Sequence, residues 1–303
     1  MFRYINQTDL VQPTFQAVVH AIVYSSLYLS VAGAAMVYVS CILQDLPFDL
    51  SAAVILMLTT FAVYNLNRKT DEDEDAINHT ERYTFTKNYG PILFDAAIGA
   101  YALALGLSAL QGLECLLVTI VPLAAGIVYS VPLFPARFGF RRLKEVPFMK
   151  SLVVAFSWAI PPALLPVCHL AHSPDIATGV VGAFLFFLVF TNTVIFDLRD
   201  VEGDAASGVR TIPTILGTRR TLFLLTGLNL TIGTALVLIS GTLLSSCTAP
   251  ILAAGTAYAQ GYILCCEWLV KEKLLFELLT DGQFIVLGGV LYLVTFTTPY
   301  LPI

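Results

Sequence analysis

Nine apolar runs, each close to the length needed to cross a bilayer, make up most of this chain. A helix needs about 20 predominantly apolar residues to span roughly 30 Å of hydrocarbon. Lipid cannot hydrogen bond the backbone, so such runs must form helices or a closed barrel, and their length favours helices. The sequence therefore predicts an all-α polytopic membrane protein. The runs cover about 14–43, 48–66, 91–112, 115–133, 147–170, 176–196, 221–242, 244–269 and 281–301.

The composition argues against a soluble domain. Only 12% of the residues are charged and 57% are hydrophobic, whereas a soluble domain is usually about 25% charged. The first 25 residues include Asp9 and Gln12, with no short apolar core and no small-residue cleavage site, so we expect no removable signal peptide. The six cysteines are scattered through apolar runs without zinc-ligand spacing. We expect one transmembrane domain over 1–303, in contact with the lipid bilayer, with no nucleic acid and no obligate protein partner.

The basic residues predict how the chain is oriented. All 16 Lys and Arg residues fall on one side of a nine-span arrangement. They lie before the first span and after the second, fourth, sixth and eighth, whereas the opposite short loops have none. By the positive-inside rule this basic side is cytoplasmic. We therefore predict a protein of the cell membrane with its N-terminus inside and its C-terminus outside.

An acid-rich patch follows the second span on the basic side. Carboxylates are costly near hydrocarbon, at roughly 2.5–3.5 kcal/mol for an Asp at the centre of a membrane helix, so acids at a helix end suggest a bound cation. Asn67, Asp71 and Asp75 are spaced i, i+4, i+8 and on a helix would lie near one face. The alternative is a set of solvated loop charges, which fits Glu72 and Asp73 better.

A second patch follows the sixth span about 130 residues later. Asp200 and Asp204 repeat the i, i+4 spacing, and Asp197 joins the same face. Mg²⁺ prefers oxygen ligands and is usually held by one or two carboxylates plus substrate phosphates. Two facing patches would hold Mg²⁺ with a diphosphate between them. Their matching positions predict two pseudo-repeated four-helix halves plus one helix, around one cavity.

Other residues on this side are candidates for contact with a diphosphate. Arg offers a bidentate fork and Lys a compact charge for phosphate oxygens. Tyr129, at the end of the fourth span, would orient the diphosphate or cover a developing carbocation with its ring face; the alternative is an interfacial belt tyrosine. The basic candidates near the patches are Lys69, Arg82, Arg142, Lys144, Lys150 and Arg210.

These motifs together resemble the UbiA superfamily of intramembrane prenyltransferases. Its first signature, N-x-x-x-D-x-x-x-D, is matched by Asn67, Asp71 and Asp75, and its second, D-x-x-x-D, by Asp200 and Asp204. The resemblance covers nearly the whole chain.

Two departures distinguish this chain from many members of the family. Many members carry an Arg-Pro stretch after the first motif, but residues 76–82 contain no Pro, and no Arg-Pro precedes the first span. The segment 67–82 is similar to an archaeal and bacterial branch whose acceptor is undefined.

The resemblance implies a helical cavity open to lipid and a transferase that depends on Mg²⁺. A prenyl group would pass from an allylic prenyl diphosphate to a lipophilic or aromatic acceptor from the membrane, with release of pyrophosphate, as in lipid or quinone biosynthesis. The implied catalytic residues are Asp71, Asp200, Tyr129 and Lys144. The implied metal ligands are Asn67, Asp71, Asp75, Asp197, Asp200 and Asp204.

Two other functions remain open at this point. A member of the same family that cyclises the prenyl diphosphate would need no acceptor. A transporter or lipid scaffold would use the acids for cations, but transporter sites usually lie near the bilayer midplane at broken helices. Here the acids fall at the ends of apolar runs, which favours the transferase.

Overall fold

A computed structural model describes residues 7–70, 80–244 and 248–297 of the chain. Within these ranges the chain is helical and contains no β-strand. The long helices are α1 (Gln7–Tyr24), α2 (Leu27–Leu43), α3 (Leu50–Thr70), α4 (Thr80–Gln111), α5 (Leu113–Ser130), α6 (Met149–His169), α7 (Ile176–Arg199), α10 (Thr218–Leu243), α11 (Thr248–Leu264) and α14 (Gln283–Thr297). The short helices are α8 (Val201–Ala206), α9 (Ile212–Leu216), α12 (Cys266–Leu269) and α13 (Lys273–Asp281).

The long helices confirm an all-α integral membrane protein. Among the described residues, six helices are long and apolar enough to cross a bilayer: α3, α4, α5, α6, α7 and α10. Two bent pairs, α1 with α2 and α13 with α14, each pass the same test as a unit, which raises the number to eight. The remaining predicted span corresponds to α11, which has 17 residues because the predicted run 244–269 is divided near Cys265.

Helix α4 differs from its predicted bounds. The sequence suggested a span beginning near residue 91, but the helix begins at Thr80 and continues for 32 residues through Pro91. Proline has no backbone N–H, so the carbonyl oxygen of Lys87, four residues earlier, loses its partner inside the helix. The extension brings Arg82 to the end of the bundle where α3 also ends.

Close helix contacts depend on small residues. A Cβ at Gly33 of α2 would come within 2.5 Å of Thr60 Oγ1 on α3, and one at Gly255 of α11 within 2.5 Å of Phe184 on α7. In membranes, such small residues let helix backbones approach and gain dispersion contacts. A larger residue at either position would push a helix pair apart.

The first bent pair breaks between α1 and α2 with an angle of 63°. Ser26 has a left-handed backbone conformation, with φ 64°. Asn65 donates from its amide to Ser25 O at 3.0 Å, while Arg68 donates to the carbonyl oxygen of Tyr24 and, at 2.8 Å, to Ser26 Oγ. Two polar side chains of α3 therefore satisfy the backbone that the first break exposes.

The second bent pair breaks between α13 and α14 at Gly282, with an angle of 53°. The carbonyl oxygens of residues 278–280 accept hydrogen bonds, at 2.7, 2.8 and 2.8 Å, from the side chains of Tyr28, Tyr258 and Asn192 respectively. A broken helix is tolerated in a membrane when neighbouring side chains satisfy the freed groups. The second break is therefore held by uncharged donors.

Candidate active site

A cavity of about 270 Å³ lies where the two helix breaks meet the ends of α3, α6 and α7. Tyr24 and Ser26 of the first break line it, as do Glu277 and Asp281 beside the second. The cavity brings together six residues that the sequence singled out, from five different helices. These are Asn67, Arg82, Tyr129, Lys150, Asp197 and Asp200.

Asp197, in the last turn of α7, is the most buried of the second-patch acids. Its side chain is 1% exposed, with Lys150 Nζ at 2.9 Å from Oδ1, and Ser151 donates to Oδ2 at 2.8 Å. Lys150 also binds Asp204, at 2.8 Å. A cation thus already lies between Asp197 and Asp204. Burial raises the pKa of Asp204, against the opposing effect of the Lys150 ammonium.

Arg199 holds Asp200 and was not identified from the sequence as a site residue. Its Nε donates to Asp200 Oδ1 at 2.8 Å and its Nη2 to Oδ2 at 3.2 Å, while Nη1 lies 3.2 Å from Glu277 Oε1. The guanidinium stacks at 4.7 Å over the ring of Phe196 and at 5.1 Å over that of Phe276. This packing fixes the bidentate fork and with it the position of the Asp200 carboxylate.

Glu277 and Asp281 form a third pair of acids in the lining, and sequence reasoning missed them. They are spaced i, i+4 on α13, the same spacing that marked the two patches. That spacing was the available signal, but it stands at the start of an apolar run and outside any D-x-x-x-D signature. Asp281 also lines a second, smaller pocket inside the helix bundle.

Tyr129 lines the cavity, whereas Lys144 lies behind it. Lys144 is 1% exposed, and its Nζ lies 5.6 Å from the centroid of the Tyr129 ring. Arg142 pairs with Glu145 at 2.6 Å, and Arg210 is exposed. Lys144, Arg142 and Arg210 are therefore not part of the cavity lining, and their contact with a diphosphate stays a prediction.

Asn67 is the part of the first patch that the structure describes. A Cβ at Gly126 of α5 would lie 3.3 Å from Asn67 Oδ1, so the glycine lets this amide pack closely against α5. Asp71 and Asp75 lie outside the described residues, as does the side chain of Lys69. Their role in binding metal or diphosphate stays a prediction.

A smaller, mainly apolar pocket of about 50 Å³ adjoins the cavity from within the helix bundle. Its own lining includes Ala32, Met36, Val189 and Phe284 with the polar residues Thr60 and Gln283. The two spaces share a set of lining residues that marks their boundary. The shared residues are Leu29, Tyr64, Trp158, Asn192 and Asp281.

Two aromatic rings form part of this boundary. Tyr64 and Trp158 stack with their centroids 5.4 Å apart and their planes at 23°. Ring faces carry negative charge density that attracts cations. Positive charge developing between the polar cavity and the apolar pocket would therefore meet aromatic faces.

The donor atoms of the cavity fit Mg²⁺. The described lining residues supply carboxylate and amide oxygens and include no Cys or His, the set that suits a hard cation. Among the described residues, no group of three or more His, Cys, Asp or Glu is arranged to hold a metal by itself. A cation there would need further oxygens from the first patch or from a bound phosphate.

A third pocket, of about 390 Å³, lies between α3 and α4. It combines apolar residues such as Leu93 and Phe94 with the basic residues Arg68 and Lys87 and the acidic residue Asp95. Arg68 also lines the main cavity. The two spaces are therefore neighbours joined at one guanidinium.

Comparison with known proteins identifies the family. The sequence model of the UbiA prenyltransferase family matches residues 26–282. Digeranylgeranylglyceryl phosphate synthase of Methanoculleus marisnigri is 28% identical over 187 residues, 58% of this chain and 59% of the relative. The corresponding synthase of Natronomonas pharaonis is 27% identical over 183 residues, 58% of this chain and 60% of the relative. The matches thus span about three-fifths of the length of these curated relatives.

Solved structures share the fold at low sequence identity. The apo structure of a UbiA homologue from Aeropyrum pernix superposes with a TM-score of 0.65 and 16% identity, covering 87% of this chain and 97% of the other. A UbiA homologue from Archaeoglobus fulgidus, bound to DMAPP and Mg²⁺, superposes with a TM-score of 0.62 and 15% identity over 90% of this chain and 98% of the other. With the family match over most of its length, this chain belongs to the UbiA prenyltransferase family.

Proposed function

We propose that this protein transfers a prenyl group from an allylic prenyl diphosphate to an acceptor and releases diphosphate, with the charged cavity at the cytoplasmic face. The observation that carries this proposal is the junction of a charged cavity with an apolar pocket. A prenyl diphosphate has the same two-part chemistry, since a polyanionic head is joined to a hydrocarbon chain at one carbon. The related structure with bound DMAPP and Mg²⁺ supports the assignment.

The chain's own residues would bind the diphosphate and prepare its departure. Arg82 and Arg68 in the lining attract its oxygens, and charge-assisted hydrogen bonds of this kind are about twice as strong as neutral ones. When bound, Mg²⁺ supplies neutralisation of the charge that grows on the leaving group. The ligands we propose for it are Asn67, Asp71, Asp75 and Asp200.

The apolar side of the cavity would protect the reacting carbon. Trp158 and Tyr64 lie at the boundary between the two spaces, where the first carbon of a bound prenyl diphosphate would sit. Their ring faces stabilise developing positive charge. The apolar lining keeps water away, so that the acceptor and not water attacks the carbon.

We propose a glyceryl ether lipid phosphate as the acceptor. The relatives that match this chain are named for such a product. The pocket between α3 and α4 supports the proposal, because Arg68 and Lys87 offer positive charge to a phosphate while Leu93 and Phe94 suit a lipid chain. Its shared wall at Arg68 would place the acceptor beside the donor.

The proposed activity is tested by measuring diphosphate release by purified protein in detergent. Geranyl or geranylgeranyl diphosphate would be supplied with and without Mg²⁺, and with geranylgeranylglyceryl phosphate, an aromatic acid or no acceptor. We expect release to need both Mg²⁺ and the glyceryl phosphate lipid, and Asp200→Ala to abolish it. Release without an acceptor would indicate a cyclase, and no release with any donor would contradict the proposal.

The acceptor pocket has its own test. We expect Lys87→Ala to raise the KM for geranylgeranylglyceryl phosphate several-fold and to leave the KM for the donor unchanged, because the lysine lines the pocket between α3 and α4 and not the charged cavity. The matched control is Lys271→Ala, an exposed lysine beyond α12. Equal effects of the two variants on the acceptor KM would show that the pocket between α3 and α4 does not bind the acceptor.

A further inference from the structure

Asp281 lies at the boundary between the charged cavity and the apolar pocket. It lines both spaces, together with Tyr64 and Trp158. The carbon of a prenyl diphosphate that carries the leaving group lies by its chemistry at the junction of polar head and apolar chain. Asp281 therefore lies beside the position where that carbon would lose its bond to diphosphate and form a bond to the acceptor.

The two acids of α13 have different surroundings. Glu277 pairs with the Arg199 guanidinium at 3.2 Å, so its charge is balanced by a cation that also holds Asp200. The Asn192 amide, which lines both spaces with Asp281, donates to Thr280 O at 2.8 Å. Asn192 therefore holds the backbone directly before Asp281.

The other carboxylates in or beside this cavity are engaged by cations. Asp197 and Asp204 both bind Lys150, at 2.9 and 2.8 Å, and Asp200 is held by the fork of Arg199. Among the described acids that line the cavity, Asp281 alone also reaches the apolar pocket. Its position suits chemistry on the substrate better than charge balance.

We infer that Asp281 is the general base that takes the proton from the acceptor, an inference that rests on the proposed prenyl transfer. A lone pair of the acceptor hydroxyl oxygen forms the new bond to the prenyl carbon. The bond between that carbon and the diphosphate oxygen breaks, and its electron pair leaves with the diphosphate. The hydroxyl proton passes to the Asp281 carboxylate. Asn192 is a positioning residue that holds the backbone at Thr280, next to Asp281.

The test compares Asp281→Asn with the wild type in detergent, using geranylgeranyl diphosphate, geranylgeranylglyceryl phosphate and Mg²⁺. A positioned general base typically contributes 10²–10⁴-fold, so we expect kcat to fall by roughly 10²-fold or more. The donor KM and the binding of unreactive geranylgeranyl thiolodiphosphate should stay within about threefold. The matched control is Asp45→Asn, the same substitution at an exposed aspartate between α2 and α3, which should retain wild-type kcat.

A second variant separates proton transfer from structure. In Asp281→Ala, added formate should restore part of the transfer rate, because a small carboxylate can enter the space left by the side chain. Formate should have no effect on Asp281→Asn, in which an amide fills that space. Rescue restricted to the alanine variant is a result that a purely structural role of Asp281 would not produce.

The possible outcomes distinguish this inference from the proposed function. Wild-type kcat in Asp281→Asn would overturn the general base, while acceptor-dependent release by the wild type would leave the transferase standing. Lost binding of the thiolodiphosphate in Asp281→Asn, without formate rescue of the alanine variant, would overturn the base in favour of a structural role. No diphosphate release by the wild type would overturn both.

Discussion

The two helix breaks that meet at the cavity are stabilised in opposite ways. At the first, the Arg68 guanidinium donates to Tyr24 O and Ser26 Oγ, with Asn65 as a second donor. At the second, the carbonyl oxygens of residues 278–280 accept side-chain hydrogen bonds from two tyrosines and an asparagine. One break depends on a cation and the other on neutral donors.

The difference explains where charge remains for binding and chemistry. At the second break, uncharged side chains satisfy the carbonyl oxygens of residues 278–280, so the nearby Arg199 guanidinium is left to pair with Asp200 and Glu277. At the first break, one arginine both holds the backbone and lines two pockets. The first break therefore uses a charged side chain of the cavity to hold its backbone, whereas the second is held by uncharged side chains.

The largest effect should come from removing the cation of the first break. We expect Arg68→Met to leave Tyr24 O and Ser26 Oγ without their donor, at a cost of about 3 kcal/mol, since each stranded buried partner costs roughly 1–3 kcal/mol. Thermal unfolding in detergent should show a Tm lower by about 6 °C, together with a raised donor KM. Arg68→Lys should recover the KM more than the Tm, because lysine keeps the charge without the fork. A wild-type Tm in Arg68→Met would show that the first break does not depend on the guanidinium.

An intermediate effect is expected at the second break. A Cβ at Gly282 would collide with Leu278 O and with the hydroxyl of Tyr28, so Gly282→Ala should cost about 1–3 kcal/mol through overpacking. Transfer should fall as well, because Asp281 precedes this glycine. The control is Gly289→Ala in α14, where a Cβ meets nothing within 4 Å and helix propensity favours alanine by roughly 1 kcal/mol. Equal Tm shifts in the two variants would contradict a close fit at the second break.

The smallest effects should come from the neutral donors of the second break. Tyr28→Phe and Tyr258→Phe each remove one hydrogen bond to a freed carbonyl oxygen and should each lower the free energy of unfolding by about 1 kcal/mol. Only Tyr28 lines the cavity, so only Tyr28→Phe should alter the donor KM. The comparison requires steady-state kinetics beside thermal unfolding. A changed donor KM in Tyr258→Phe but not in Tyr28→Phe would contradict the placement of Tyr28 in the donor cavity.

Much of the fold and part of the site follow from the sequence. Hydrophobic length fixes the spans because lipid offers the backbone no partners, so the all-α membrane fold was predicted correctly. Asn67, Asp197 and Asp200 were predicted as site residues because helical spacing links polar residues within one segment. Tyr129 and Lys150 were predicted because they end or open a span on the same side. The structure brings all five into one cavity.

The remaining site residues depend on contacts between distant segments. Glu277 and Asp281 reach the cavity because α13 bends against α14, and no local pattern connects them with α7, about 80 residues earlier. The packing of α6 on its neighbours determines that Lys150 pairs with Asp197 and Asp204. The same packing places Lys144 behind Tyr129. Sequence spacing indicates which residues share a helix face, but not which helix faces contact one another in the fold.

The pairing of Lys150 with Asp197 has a consequence for how this protein enters the membrane. The two charges lie on consecutive spans, at the start of α6 and the end of α7. A single Lys or Asp at the centre of an inserting helix costs roughly 2.5–3.5 kcal/mol. Because the two helices are consecutive, each charge meets its counterion within one helical hairpin, without a partner from a more distant helix. We therefore expect α6 and α7 to enter the bilayer more readily as a pair than either helix would alone.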